Sequence, residues 1–131
     1  MYAPRVKDHE GIGSRFVRAI ATKDVPGLVA ILAPDVDFRG LTPSRAWRAS
    51  IPDEVAEIVF GSWFEPGDEI REVLELDDEP FADRHRIRYR LLVESDGEPF
   101  LVEQQGYFDA ADDRITRISL ACSGYQSLPG G

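Results

Sequence analysis

The sequence predicts an α+β domain in which three helices come first and a strongly curved antiparallel sheet follows. Apolar residues recur at helical spacing through the first half of the chain. In the second half, three segments have the pattern of consecutive long strands, at 84–95, 98–109 and 114–122. We expect the sheet to wrap around the helices and enclose one apolar pocket. The 131 residues fit one domain over 1–131, with a core at about 10–126 and loose tails at 1–8 and 129–131.

Two short helices are predicted at the start of the chain. Lys23 breaks the first, which begins near Glu10, and Asp24 is placed to cap the second. Pro34 is expected to end the second helix, because a residue before proline avoids the helical region. The apolar face of the first helix consists of Ile12, Phe16, Ala19 and Ile20, and that of the second of Val25, Leu28, Val29 and Leu32.

A third helix is predicted after Ser50. This serine can cap it, Pro52 suits its first turn, and Asp53 lies near the positive end of the helix dipole. Pro66 and Gly67 end it. Its apolar stripe consists of Ile51, Val55, Ile58, Val59 and Trp63.

The remaining segments predict strands and their connections. A short strand at 36–40 precedes a loop that holds Trp47, and a strand at 70–76 precedes an acidic loop at 77–80. Along 84–95, apolar residues alternate with arginines in the clearest strand pattern of the chain. Two hairpin turns are predicted, at Asp96-Gly97 and Asp112-Asp113.

Charge and composition exclude several function classes. A formal net charge of −9 disfavours nucleic acids and anionic membranes as partners, since both require a basic surface. Cys122 is the single cysteine, so no internal disulfide or thiolate zinc site is expected, and His9 and His85 do not form a ligand cluster. We expect no metal and no cofactor. Without a membrane-spanning run or a signal peptide, the sequence predicts a cytoplasmic protein.

Two stretches carry a family resemblance. The first is Arg15 to Asp35, RFVRAIATKDVPGLVAILAPD, and the second is the ending from Glu103-Gln104-Gln105 and Tyr107 to Cys122-Ser123-Gly124. The first resembles the nuclear transport factor 2-like superfamily, also called the SnoaL-like or cone fold, and the second its bacterial branch. The resemblance implies a cone-shaped domain that pairs into a homodimer through the outer sheet face. Its members include isomerases, cyclases, dehydratases, epoxide hydrolases and non-catalytic binding modules.

The catalytic residues of two relatives are missing from this chain. By the resemblance, the tyrosine and aspartate of ketosteroid isomerases fall on Phe16 and Gly40, and their second acid falls on Gln104 or Gln105. A phenyl ring cannot donate to an oxyanion, and glycine cannot accept a proton. The epoxide hydrolase pattern is also missing, because Arg88-Tyr89-Arg90 lacks the carboxylate.

One face of the strand at 98–109 offers the best remaining chemistry. Glu103 is the candidate for proton transfer, with Tyr107 as its catalytic partner and Gln105 as a substrate-binding amide. Burial would raise the pKa of such a glutamate toward neutrality. Both faces of this strand are mixed, so two orientations stay open. In the second, this face meets solvent or a dimer partner and the inward residues are Val102, Gln104 and Phe108.

Aromatic side chains are the candidate walls of the pocket. Phe16, Trp47, Trp63 and Tyr89 are predicted to bind the substrate, because rings supply contact area with few rotatable bonds. Trp63 is better explained as a core residue of the third helix's apolar stripe.

Other charged or reactive residues have simpler explanations. Asp37 and Arg39 fit a solvated strand face, the arginines of 84–90 can pair with carboxylates across the sheet, and Cys122 fits an inert buried thiol.

Two functions follow from these observations. The first is binding of a small hydrophobic molecule, with or without cofactor-independent acid–base catalysis of isomerase, cyclase or dehydratase type. The second is a non-catalytic dimeric binding or assembly module, which the residues at Phe16 and Gly40 support.

Overall fold

The structure is a computed structural model and describes residues 11–128. The tails expected to be loose, at 1–8 and 129–131, lie outside this range. The helices are α1 (Ile12–Ala21), α2 (Val25–Ala30) and α3 (Pro52–Glu57), which continues as a π-helix over Ile58–Trp63. The strands are β1 (Leu32–Thr42), β2 (Arg45–Ala49), β3 (Glu69–Phe81), β4 (Arg84–Ser95), β5 (Glu98–Ala111), β6 (Arg114–Cys122) and β7 (Gln126–Ser127).

The strands form one large curved sheet in the order β2-β1-β6-β5-β4-β3, with β7 beside β5. An α+β architecture with three helices is thus confirmed, but the sheet is mixed rather than antiparallel. Strands β1 and β6 pair in parallel, with Phe38 opposite Ile118. A parallel pair needs a long crossover, and here α3 and β2 to β5 supply it.

The first two helices match the prediction except at the C-terminal end of α2. Asp24 caps α2, because its Oδ1 accepts a hydrogen bond from Gly27 N at 3.0 Å. Leu32, predicted in this helix, belongs instead to β1, which contains Pro34. The strand tolerates proline because its pairing with β6 shifts register between Leu32 and Asp37.

The start of α3 differs from the prediction. Ser50 does not cap the helix with its side chain; instead, Glu54 Oε1 accepts a hydrogen bond from Ser50 N at 3.0 Å. Beyond Glu57 the helix widens into the π-helix, which ends at Trp63. Val59 and Trp63 are its buried residues.

Two predicted loops are strands. Trp47 lies on β2, not in a loop, and Gly40 of β1 is its partner. The acidic segment 77–80 lies within β3. Asp77 faces Arg88 and Glu79 faces Arg86 on β4, so opposite charges across the strands stabilise the segment as a strand. Turns at 96–97 and 112–113 have the positive φ angles that the prediction requires.

The inner face of the sheet packs on the helices and forms the core, and the outer face points away. Buried aliphatic and aromatic side chains of β4 to β6 share the inner face with one buried polar residue, Gln104. Its other members are Ile87, Tyr89, Leu91, Val93, Val102, Phe108, Ile115, Ile118 and Leu120.

Candidate functional site

The candidate catalytic side chains of β5 lie on the outer face. Val102, Gln104 and Phe108 are fully buried, whereas the alternating positions Glu103, Gln105 and Tyr107 are not. The orientation in which Glu103, Gln105 and Tyr107 line the interior is therefore corrected to the opposite one. Successive side chains of a strand point to opposite faces, so the inward direction of Gln104 places Glu103 and Gln105 on the outer face.

Glu103 belongs to a charged ladder on the outer face. Its carboxylate accepts hydrogen bonds from Arg88 Nε at 2.8 Å and from Arg90 Nε at 3.3 Å. The hydrogen bond from Arg88 is the largest influence and, with Arg90, lowers the pKa of Glu103 despite partial burial. Glu103 is thus a stabilised carboxylate, and not the acid of raised pKa that a buried proton donor requires.

The interior holds a polar pair instead. The Tyr89 hydroxyl donates to Gln104 Oε1, and both side chains are fully buried. Burial raises the pKa of Tyr89 well above its usual value, so the phenol stays protonated and remains a donor. Gln104 Nε2 has no hydrogen-bond partner within residues 11–128.

The Trp63 indole fills the space beside Gly40. A Cβ built at Gly40 would lie 2.6 Å from Trp63 Cζ2. The indole is 7% exposed, and its ring centroid lies 5.7 Å from that of Phe38 and 6.4 Å from that of Trp47. Its Nε1 is buried without a partner in the described chain. Phe16 is fully buried in the core.

A cavity of about 410 Å³, which we name the mouth, opens beside Trp63. Its aromatic lining is Trp47, Trp63, Phe64 and Tyr125. Cys122 also lines it and is paired with Gln104 in the register of β6 on β5. The unpartnered amide of Gln104 therefore lies one strand away from the lining of the mouth.

An ordered carboxylate stands at the edge of the mouth. Asp68 Oδ1 accepts from Ser95 Oγ at 2.6 Å, and Oδ2 lies 2.8 Å from the Tyr125 hydroxyl, which is also 3.0 Å from the Trp63 carbonyl oxygen. Burial acts to raise the pKa of Asp68, but hydrogen bonds from Ser95 and Tyr125, a backbone hydrogen bond and the Lys23 charge together lower it. Burial, followed by the neighbouring Asp68, raises the pKa of Tyr125.

Asp68 and Tyr125 were not among the predicted site residues. They are 57 positions apart in the sequence and lie outside the periodic segments. The turn signal at Pro66-Gly67 marks where α3 ends, but it carries no information about Tyr125.

A second cavity, of about 690 Å³, lies on the outer face, and we name it the outer groove. Gln105, Tyr107 and Trp47 line it, together with the exposed Leu41. Trp47 thus contributes to both cavities, whereas Glu103, Tyr89 and Phe16 line neither. Three arginines complete the groove, namely Arg39, Arg48 and Arg86.

Neither a metal site nor a membrane span is found in the described part of the chain. No group of three or more His, Cys, Asp or Glu side chains among residues 11–128 is arranged to hold a metal ion. No helix in that range is both long and apolar enough to cross a membrane.

Comparisons with known proteins give matches at the level of structure. No protein-family model matches the chain, and no curated protein matches it significantly. A candidate isomerase from Rhodopseudomonas palustris is similar, with a TM-score of 0.68, 16% identity, and coverage of 89% of this chain and 93% of that one. A candidate polyketide cyclase from Silicibacter has a TM-score of 0.67 at 16% identity, covering 86% of each chain.

A third similar structure carries the family name. A nuclear transport factor 2-like protein from Burkholderia xenovorans has a TM-score of 0.61 at 17% identity, covering 86% of each chain. Identity this low says nothing about activity, but similarity along the whole domain establishes the architecture. The chain therefore has the nuclear transport factor 2-like, or cone, fold.

Proposed function

We propose that the protein binds a small, largely apolar molecule through the mouth, and that this molecule presents a hydrogen-bond acceptor to the interior. The observation that carries the proposal is the pair of buried donors without partners, Trp63 Nε1 and Gln104 Nε2. A buried donor without an acceptor costs about 1–3 kcal/mol, so a ligand carbonyl placed there would recover that free energy. Trp63 lines the mouth, whereas Gln104 is buried in the core one strand away from that lining. The third such nitrogen within residues 11–128, Arg15 Nε, lies on α1.

We infer binding without turnover. Acid–base catalysis is most efficient when the pKa of the catalytic group lies near the working pH. Asp68 is held ionised below its usual pKa, while Tyr89 is held protonated above its own. Candidate isomerase and cyclase neighbours support a small-molecule function for this fold in general. They do not supply the missing acid and base at Phe16 and Gly40.

Tryptophan fluorescence tests the proposal, because both tryptophans of the chain line the mouth. Adamantyl methyl ketone and ethyladamantane have nearly the same shape, but only the ketone is a strong acceptor. We expect the ketone to quench the fluorescence at about tenfold lower concentration, the value of one well-placed hydrogen bond. Equal affinity for the two probes, or no saturable quenching by either, would contradict the proposal.

A double variant locates the donor. Tyr89→Phe/Gln104→Met removes both polar partners together, which leaves no buried hydroxyl unpaired. The ketone advantage should shrink in this variant by the share that Gln104 contributes, while Trp63 Nε1 remains as the second donor. Gln105→Met is the matched control, since it makes the same change at the next residue but on the outer face. It should keep the full advantage.

The alternative function, a module that pairs through the outer face, rests on a different observation. Leu41 is 58% exposed and Tyr107 is 37% exposed, and both line the outer groove. We propose a homodimer that covers this groove, compatible with ligand binding at the mouth. Sedimentation should show dimers that Leu41→Asp weakens by about tenfold or more. Leu74→Asp, at an exposed leucine outside the groove, is the control.

A further inference from the structure

The charges around the mouth point to the chemistry of the ligand's outer end. Building on the proposed function, we propose that the ligand carries an organic cation, such as a protonated amine, which rests at the rim between Asp68 and Glu65. The buried donors would bind the acceptor at one end of the molecule, and the rim would bind the ammonium at the other. The predicted ligand class is therefore an apolar amine that also carries a carbonyl or ether oxygen.

The two cavities differ in the sign of their charge. Among the described residues, Asp68 and Glu65 are the only charged side chains that line the mouth. The charged side chains of the outer groove, in contrast, are all arginines. An ammonium at the mouth meets attraction, whereas a carboxylate there would meet repulsion from both residues and from a chain of net charge −9.

Asp68 is preorganised as an acceptor for a cation. Ser95 and Tyr125 each bind one of its oxygens, which fixes the direction of the carboxylate. Each carboxylate oxygen can accept more than one hydrogen bond, so an ammonium has unused acceptor positions. A charge-assisted hydrogen bond of this kind is about twice as strong as a neutral one.

The two basic side chains near the rim have other partners. Lys23 Nζ donates to the carbonyl oxygens of Glu65 and Asp68, at 2.6 Å in both cases. The Arg45 guanidinium lies 3.7 Å from the centre of the Trp47 ring. Neither side chain lines the mouth. The Lys23 charge acts on Asp68 from outside the cavity and helps to lower its pKa, which leaves Glu65 and the open side of Asp68 to meet a cation.

Aromatic rings complete the site. The Tyr125 ring centroid lies 6.3 Å from that of Phe64, and the Trp47 and Trp63 rings meet edge to face. Ring faces attract a cation by about 0.5–2 kcal/mol when water is excluded. One face of Trp47 is already covered by Arg45. The rings left for the ligand are therefore Trp63, Phe64 and Tyr125. The combination of rings, carboxylates and a nine-tenths buried indole with a free N–H distinguishes the mouth from a merely acidic surface.

Three probes that share one apolar body test the charge preference. Aminomethyladamantane is cationic, hydroxymethyladamantane is neutral and adamantanecarboxylate is anionic at pH 7. In titrations at low salt, we expect the amine to bind about tenfold more tightly than the alcohol, and the carboxylate most weakly. Raising the salt concentration should reduce the amine's advantage.

Matched variants assign the effect to the rim. Asp68→Asn should bring the amine within about twofold of the alcohol, and Glu65→Gln should reduce the ratio by less. Glu57→Gln removes the same charge from an exposed position outside the mouth, so its ratio should stay at the wild-type value. If all three variants reduced the ratio equally, general charge would explain the preference and the inference would fall.

The two proposals fail in different ways. If the ketone still outcompetes ethyladamantane while the amine shows no advantage over the alcohol, the binding proposal stands and the cation inference is wrong. If no adamantyl probe binds saturably, both are wrong. An amine preference that survives in Asp68→Asn would also overturn the inference, because the cation would then be bound elsewhere.

Discussion

At the scale of single residues, Gly40 is matched to the Trp63 indole that packs beside it. A side chain at this position would enter the space that the six-membered ring of Trp63 fills, with contacts of 2.6 and 2.7 Å. A side chain at this position and the indole cannot both occupy that space. Glycine in β1 and tryptophan at the end of the π-helix therefore depend on each other for close packing.

Gly40→Ala tests this packing. The added methyl group must displace the indole, so the free energy of unfolding should fall by about 1–3 kcal/mol. Tryptophan emission should also change, because Trp63 moves. Gly61→Ala is the control, since a Cβ there meets no atom within 4 Å. Chemical denaturation followed by fluorescence measures both variants, and equal stability of the two would show that the indole yields without cost.

At the scale of elements, paired charges organise the outer face of β3, β4 and β5. Arg88 contacts Glu75, Asp77 and Glu103, while Arg84 contacts Asp109 at 2.7 Å. Such partly exposed pairs each contribute little at neutral pH. Their larger effect is on acid stability and on which strands pair, because like charges in another register would repel.

Glu103→Gln separates a structural from a catalytic role. We expect ketone binding at the mouth to stay unchanged and the free energy of unfolding at pH 7 to fall by at most about 1 kcal/mol. The pKa of Glu103 is lower in the folded state, so its stabilisation exists above the usual pKa and is lost as pH falls through the folded value. The variant should therefore lose less stability than the wild type on acidification, as measured by urea denaturation.

Strand β3 also caps helix α1. Asp78 accepts hydrogen bonds from the backbone N–H groups of Gly13 and Ser14, and a Cβ at Gly13 would lie 2.3 Å from Asp78 Oδ2. The carboxylate thus takes the place of an N-cap side chain, which Gly11 does not supply. Glycine at position 13 is what allows this close approach.

Because Asp78 is buried, its contribution to stability depends on pH in the opposite direction to that of Glu103. Desolvation, the largest influence, raises its pKa despite the charge of His85 and the two backbone hydrogen bonds. Its contribution to stability is present below the unfolded pKa and is lost as pH rises through the folded value. Asp78→Asn should therefore gain stability relative to the wild type between about pH 4 and pH 7. A difference that stays constant over this range would contradict the assignment.

At the scale of the whole molecule, the sheet separates two surfaces of different charge. Its inner face and the helices build the mouth with its carboxylates, and its outer face carries the arginine-lined groove. Trp47 on β2 contributes to both, but the buried donors lie on the inner side only. Ligand binding and dimer formation should therefore be independent.

A monomeric variant tests this independence. Leu41→Asp should bind adamantyl methyl ketone within about twofold of the wild-type affinity, even at protein concentrations where it no longer pairs. Sedimentation and fluorescence titration on the same samples make the comparison. If the affinity for the ketone fell as the dimer dissociated, ligand binding at the mouth would depend on the partner copy, and the two surfaces would be coupled.

Sequence alone determined the elements whose pattern is local. Helical spacing placed α1, alternation gave β4 and β6 with their observed bounds, and turn residues placed the hairpin at Asp96-Gly97. Asp24 was identified as a cap because that contact spans only three residues.

Only the tertiary structure decided what depends on distant partners. Strand β2 exists because it pairs with β1, and the acidic end of β3 is a strand because β4 supplies arginines. The orientation of β5 could not follow from its own residues, since both faces mix polar and apolar side chains. The helices cover one face and thereby place Gln104 inside and Glu103 outside. Periodicity describes what one segment prefers, whereas burial is a property of the neighbours that the fold brings to it.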